Sequence, residues 1–232
     1  MGCSGECGPW YFADRQCGVG SHPRTVLTSA LPSLAAIDLA CRRGDRILFK
    51  GLQFEVKPGQ VVWLRGANGR GKTSLLRLLA GLSTPEAGQV SWAGTPTQRV
   101  YVAHANALKE DLTVLESLRF LARLHGRADS DAALGEALSL FGMASRRDAF
   151  VRTLSQGQHR RVALARLALD VAPSLWILDE PFDALDTEGI HTLNTLLTQH
   201  AARGGSVVLT SHQALTLSEP VPLIVQLDEV AA

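Results

Sequence analysis

The sequence predicts an α/β fold with a largely parallel sheet and a helical insertion. Three observations carry this expectation. From about Ala35 onward, short apolar strand-like runs alternate with segments of helical periodicity. One run, "SLWILDEP" (Ser174–Pro181), is apolar without interruption up to its acidic end, the pattern of a strand buried on both faces. Residues from about 105 to 172 read as almost entirely helical, which marks them as a subdomain inserted between strands.

The elements follow in order. "AAIDLAC" and "DRILFKGLQFEV" read as strands, with the "KPG" turn (Lys57–Gly59) leading to the buried strand "QVVWLRG". Strands are expected at Gln89–Trp92 and Arg99–Val102, then helices near Thr113–His125 and Ser130–Phe141. After "SLWILDEP", the stretch "TEGIHTLNTLLTQHAAR" is helical, and "GGSVVLTSH" and "VPLIVQL" are the last strands. No internal repeat is visible. The lone histidines His125, His159, His191 and His200 are expected at the surface.

Composition narrows the function classes. The 232 residues, 46% of them hydrophobic, suffice for one large or two small domains with a real core. A net charge of +1 gives no broad nucleic-acid footprint, so no nucleic-acid partner is expected. Val162–Leu178 is interrupted by Arg166 and Asp170, and no window approaches the roughly 18–20 apolar residues of a spanning helix, so a soluble chain is expected.

Residues 1–34 are rich in Gly, Ser, Pro and Cys and lack steady periodicity; they are expected to be a leader, disordered or non-native, ahead of one domain over residues 35–232. Cys3, Cys7, Cys17 and His22 supply the ligand types of a Cys3His zinc site, but their spacing matches no zinc module. Glu6 stands where the myristoylation pattern places Ser or Thr, and no basic-then-apolar secretory signal occurs. With Cys41 the cysteines number four, and they imply no disulfide framework.

The chemistry concentrates in two places. Gly66-Ala67-Asn68-Gly69-Arg70-Gly71-Lys72-Thr73 fits the phosphate-binding pattern G-x4-G-K-[ST], followed by Ser74 at the start of a helix. The glycines let backbone N–H groups wrap phosphates, Lys72 reaches the β- and γ-phosphates, and the Thr73 hydroxyl can ligate Mg²⁺. A buried strand before the pattern and an amphipathic helix after it supply the context that nucleotide binding requires. "LWILDEP" places Asp179 at the carboxyl end of a strand, where ligands bind in open α/β sheets and where a carboxylate can hold Mg²⁺. Glu180, pointing elsewhere, is suited to polarise an attacking water as general base.

"LSQGQHRRVALARLAL" (Leu154–Leu169) offers a second anion-binding turn, in which free N–H groups and a helix dipole converge. Together with the two motifs above, it gives the chain a close resemblance to the ATP-binding cassette ATPases over about residues 36–228. The resemblance implies a P-loop α/β fold of that type, with a mixed, mainly parallel core, the helical insertion and an N-terminal antiparallel β part. It makes Leu154–Gln158 the family signature, with Gln156 where glycine is commonest. It makes Ala184-Leu185-Asp186 the D-loop, and His212 after "VVLTS" the switch histidine at the γ-phosphate. In such cassettes two copies pack head to tail, so Ser155, Gly157 and Gln158 would touch a partner's ATP. A homodimer or close heterodimer follows.

Among cassettes, the segments "YVAH", "LTVLESLRFLARLHG", "LWILDEPFDALD" and "TSHQAL" look most like the ATPase subunits of haem exporters in cytochrome c maturation. His104 stands where most cassettes place the Q-loop glutamine, and residue 105 is Ala where that subfamily is expected to carry Gln. Arg42 or Arg43 would stack on adenine, since no aromatic stands nearby. The resemblance implies ATP and Mg²⁺ as ligands and a peripheral position on the cytoplasmic face of a bacterial inner membrane. It implies integral membrane permease subunits as partners, docking on the helical subdomain. The alternatives are an ATPase subunit of another exporter and a soluble ATP-dependent switch that moves no substrate.

Overall fold

The computed structural model describes residues 33–95, 98–217 and 219–230. The cysteine-rich stretch and its zinc and lipidation readings lie outside these residues. β1 (Leu34–Arg43) pairs antiparallel with β2 (Arg46–Val56) and with β4 (Ala87–Trp92), giving a three-stranded sheet of order β2-β1-β4. The second sheet is parallel, in the order β5-β6-β7-β3-β8. Its strands are β3 (Val61–Arg65), β5 (Arg99–Val102), β6 (Leu175–Leu178), β7 (Ser206–Thr210) and β8 (Leu223–Gln226).

The helices are α1 (Lys72–Leu79), α2 (Val114–Leu124), α3 (Asp131–Leu140), α4 (Gln156–Ala165) and α5 (Thr187–Ala202). Between β5 and β6 every regular element is helical: α2, α3 and α4, with short 3₁₀ turns at Ala144–Arg146 and Val151–Thr153 before α4 and at Arg166–Leu169 after it. No helix among the described residues is long and apolar enough to cross a membrane.

The continuous apolar runs have a simple cause. Trp176, Leu178, Val207 and Leu209 face a core shared with α2, α3, α4 and α5. Their neighbours Leu175, Ile177 and Val208 face a second core formed with α1 and the antiparallel sheet. Side chains alternate across a strand, so strands sandwiched between two apolar layers cannot alternate in polarity.

His200 is a correction to the surface expectation: it is fully buried, while His191 is exposed and His125 and His159 are half-buried. The His200 ring stacks on Trp176 with centroids 3.7 Å apart, and its Nε2–H donates to the Ser174 carbonyl at 2.9 Å. Trp176 Nε1 donates in turn to Asp170 at 2.6 Å, and Asp170 pairs with Arg127 at 2.7 Å. Burial holds the imidazole neutral, lowering its pKa from 6.5 to about 4. Helical periodicity alone could not place it, because the deciding contacts come from β6 and the turn before it.

Candidate active site

Three strand ends converge at one edge of the parallel sheet: β3 feeds the Gly66–Gly71 loop, β6 ends beside Asp179, and β7 ends at Thr210. This is where open α/β sheets bind ligands. A cavity of about 350 Å³ opens there, lined by Asn68, Gly69, Gly71, Lys72, Thr73, Ser74, His104, Asp179, Glu180 and His212, with Arg43, Leu48 and Asp183. Gly66 lines an adjoining cavity of about 400 Å³ that shares Lys72 and His212. Of the two arginines considered for adenine stacking, Arg43 faces the cavity and Arg42 is paired with Glu86 at 3.1 Å.

The loop geometry demands its glycines. Gly69 and Gly71 have φ of 81° and 93°, and a Cβ on Gly71 would lie 3.1 Å from the Leu48 side chain. Gly71 starts α1 without any side-chain cap, and no acidic residue stands in the first turn. The first amides of this helix therefore offer unshared donors and the positive end of the dipole to an anion. Lys72 Nζ donates to the Gly66 carbonyl at 2.7 Å, which holds the ammonium over the loop. Asp228 buttresses it from outside, accepting the Ala67 N–H at 3.2 Å and pairing with Arg70 at 3.1 Å.

The two carboxylates after β6 are arranged differently. Asp179 is 2% exposed; its Oδ1 accepts the Thr210 hydroxyl at 3.1 Å, while its buried Oδ2 has no hydrogen-bond partner. An orphaned buried carboxylate oxygen is costly unless a cation or water satisfies it. Glu180 has φ of +46°, a left-handed conformation unusual for a non-glycine residue, and its N–H donates to Thr210 Oγ1 at 2.9 Å. That turn sends its carboxylate towards His212. The His212 N–H donates to Glu180 Oε2 at 3.0 Å, and Nε2 lies 3.5 Å from Oε1. His104, largely exposed, has Nδ1 3.7 Å from Asp183 Oδ2.

Ser155, Gly157, Gln158 and Asp186 gather elsewhere, in a cavity of about 330 Å³ with Gly142, Met143, Arg161 and Ala184. No residue lines both this cavity and that of the Gly66–Gly71 loop. Ser155 caps α4 through a reciprocal box: its Oγ accepts the Gln158 N–H at 3.3 Å, and Gln158 Oε1 accepts the Ser155 N–H at 3.0 Å. Asp186 caps α5 by accepting the Gly189 N–H at 3.0 Å and also pairs with Arg161, so its carboxylate is engaged locally.

Sequence reading missed Thr210, Asp183, Asp228 and Arg160. Thr210 and Asp183 lie within two or three residues of predicted site residues, a proximity that flags them. Asp228 carries no local signal, because its partner loop is about 160 residues away in the chain.

Comparison with known proteins agrees with this geometry. The ABC transporter family model matches residues 49–183. The cytochrome c biogenesis ATP-binding export protein CcmA of Aromatoleum aromaticum is 46% identical over 215 residues, spanning 89% of this chain and all of that protein. Its namesake in Methylococcus capsulatus is 49% identical over 191 residues, 78% of this chain and 92% of that one. Among solved structures, an ATP-binding subunit of an ABC transporter matches with a TM-score of 0.71 at 29% identity, covering 77% of this chain and 79% of that one. The chain therefore belongs to the ABC transporter family, as one of its ATP-hydrolysing cassettes.

Proposed function

We propose that this cassette powers a membrane complex of cytochrome c biogenesis, coupling ATP hydrolysis to haem export or to release of a haem-loaded chaperone. Relatives at 46% and 49% identity named for export in cytochrome c biogenesis support that assignment. The working position is the cytoplasmic face of a bacterial inner membrane, against integral permease subunits that dock on the helical subdomain at about residues 105–172.

ATP enters the cavity of the Gly66–Gly71 loop, its phosphates held by the α1 amides and Lys72. Thr73 and Asp179 fit a divalent cation, since Asp179 Oδ2 is buried without a partner. Mg²⁺ bound there would draw charge from the phosphates. Glu180 takes a proton from the attacking water, and its carboxylate is pre-oriented by the His212 N–H. His212 is placed to donate from its ring towards the γ-phosphate, and His104 to hydrogen-bond near the water.

One observation carries the dimer: the two cradles have wholly separate linings within one chain, so no single cavity here holds both the Lys72 loop and the Ser155 turn. In a head-to-tail homodimer, Ser155, Gly157 and Gln158 complete the partner's site, and Asp186 holds the loop that flanks it.

Mixing tests this. Lys72→Ala and Ser155→Arg should each be nearly inactive alone. Mixed, they form heterodimers with one composite site of two intact halves, and ATPase activity should return. Crosslinking of Ser155→Cys to a cysteine placed at Asn68 covers the case in which both sites must be intact for turnover. No recovery and no crosslink with ATP present would exclude the arrangement.

A further inference from the structure

The side chain of Arg160 is 2% exposed, yet no carboxylate is bonded to it. Its guanidinium is saturated by backbone and amide oxygens from two other segments. Nη2 donates to the carbonyls of Asp179 at 2.9 Å and Glu180 at 2.6 Å, and Nε donates to Pro181 at 3.3 Å. Nη1 donates to the Ala103 carbonyl and to Asn106 Oδ1, each at 3.0 Å. One planar fork thus spans the two carboxylate-bearing residues and brackets His104 between its contacts at residues 103 and 106. Arginine suits the position because its donors are rigidly spread and it keeps its charge when buried.

Neighbouring arginines add further ties. Arg161 of α4 donates to the Phe141 carbonyl and pairs with Asp186 beside the Ser155 cradle, and Arg166, in the 3₁₀ turn just after α4, donates to the Tyr101 carbonyl in β5. A displacement of α4 would therefore pull on the carbonyls that its arginines hold. The Glu180 backbone is especially sensitive, because it is held at φ +46° by its contacts and not by local preference.

We propose that Arg160 is a positioning residue that couples the two nucleotide sites of the dimer. A phosphate of the partner's ATP, docking at Ser155, fixes α4, and Arg160 then sets the Asp179–Glu180 backbone and the His104 segment of its own chain for hydrolysis. Buried charge serves this role, since a guanidinium held by five oxygens has no alternative partner in water. Burial lowers its pKa below the ordinary guanidinium value, and the nearby Asp183, Asp179 and Glu180 offset part of that cost. The inference rests on the head-to-tail dimer proposed above.

The test uses the full chain in its dimeric, ATP-hydrolysing form and compares Arg160→Gln, Arg160→Lys and Asn106→Ala with the unsubstituted protein. ATP affinity, read with a fluorescent ATP analogue, should change less than about twofold, because no contact of Arg160 reaches the Gly66–Gly71 loop. For Arg160→Gln, kcat should fall about tenfold and the Hill coefficient for ATP should drop to near one. Arg160→Lys should restore part of both. Asn106→Ala, which cuts only the link to the His104 segment, should lower kcat less. If Arg160→Gln fails to fold, the other two variants decide. Unchanged kcat and Hill coefficient in the folded variants would overturn the coupling role. Loss of dimerisation and cooperativity in the unsubstituted protein would instead count against the dimer itself, so the two failures are distinct.

Discussion

The N-termini of α1 and α4, the two helix ends proposed to meet a phosphate, treat their own amides in opposite ways. Gly71 begins α1 with no side-chain cap. Ser155 and Gln158 close a reciprocal box over the first turn of α4, and α2, α3 and α5 are likewise side-chain capped. An uncapped N-terminus leaves several donors unshared, which costs stability until an anion arrives. The α1 end is therefore a primary cradle, built around glycines and a lysine. The α4 end is satisfied without ligand and offers a hydroxyl, an amide and a close backbone approach at Gly157. It suits a second contact on a phosphate already held by another chain.

The sharpest way to break this comparison is to stop the chemistry while leaving both cradles intact. Glu180→Gln should reduce ATP turnover on the order of 10²–10⁴-fold and let ATP-bound dimers accumulate with Mg²⁺, seen by size-exclusion chromatography. Adding Ser155→Arg should abolish those dimers without affecting nucleotide binding. Dimers that persist in the double variant would remove the α4 end from the interface.

The fold itself limits the pH at which such tests are valid. The neutral, buried His200 binds its proton less readily folded than unfolded, so the unfolded chain takes up more protons as pH falls. Its stabilising contribution is present above about pH 6.5 and is lost progressively towards pH 4, on the order of 3 kcal/mol in all. Denaturant titrations should show this loss, and His200→Asn should shrink it. An equal acid slope in both proteins would assign the effect elsewhere.

Two glycines probe the cradles individually. A Cβ on Gly71 meets Leu48 at 3.1 Å in a left-handed backbone, and a Cβ on Gly157 meets the Ala184 carbonyl at 2.9 Å. Each alanine substitution should cost about 1–3 kcal/mol in chemical denaturation. Only Gly71→Ala should weaken nucleotide binding by the isolated chain. Gly157→Ala should leave it unchanged and impair ATP-dependent dimerisation, and the reverse pattern would refute the division of labour.

The smallest expected effect concerns His104. Its ring lines the cavity with Nδ1 3.7 Å from Asp183 Oδ2, so it can hydrogen-bond close to the reacting groups. His104→Gln keeps a hydrogen-bonding group there and should retain substantial turnover, whereas His104→Ala should lower kcat about threefold to tenfold, read in a steady-state ATPase assay. Equal kcat in both variants and the unsubstituted protein would reduce His104 to a spacer.

Much of this was legible in the sequence because it is local. The Gly66–Thr73 loop, Asp179 and Glu180 at the end of an apolar strand, and the Ser155 turn each announce themselves within a few residues, since glycine torsions, strand burial and helix capping are short-range matters. Strand alternation and the helical insertion followed from periodicity. The tertiary structure alone decided what meets across the chain: Thr210 holding both carboxylate residues of the next strand, Asp228 bracing a loop 161 residues away, and Arg160 binding β6 to the His104 segment. It also reversed the expectation for His200, a polar residue whose burial depends on Trp176 and the Ser174 carbonyl. Chain order specifies residue types and periods. The partner of a buried polar group is set by which strand ends the sheet order brings together, and spacing along one strand or helix carries no record of that.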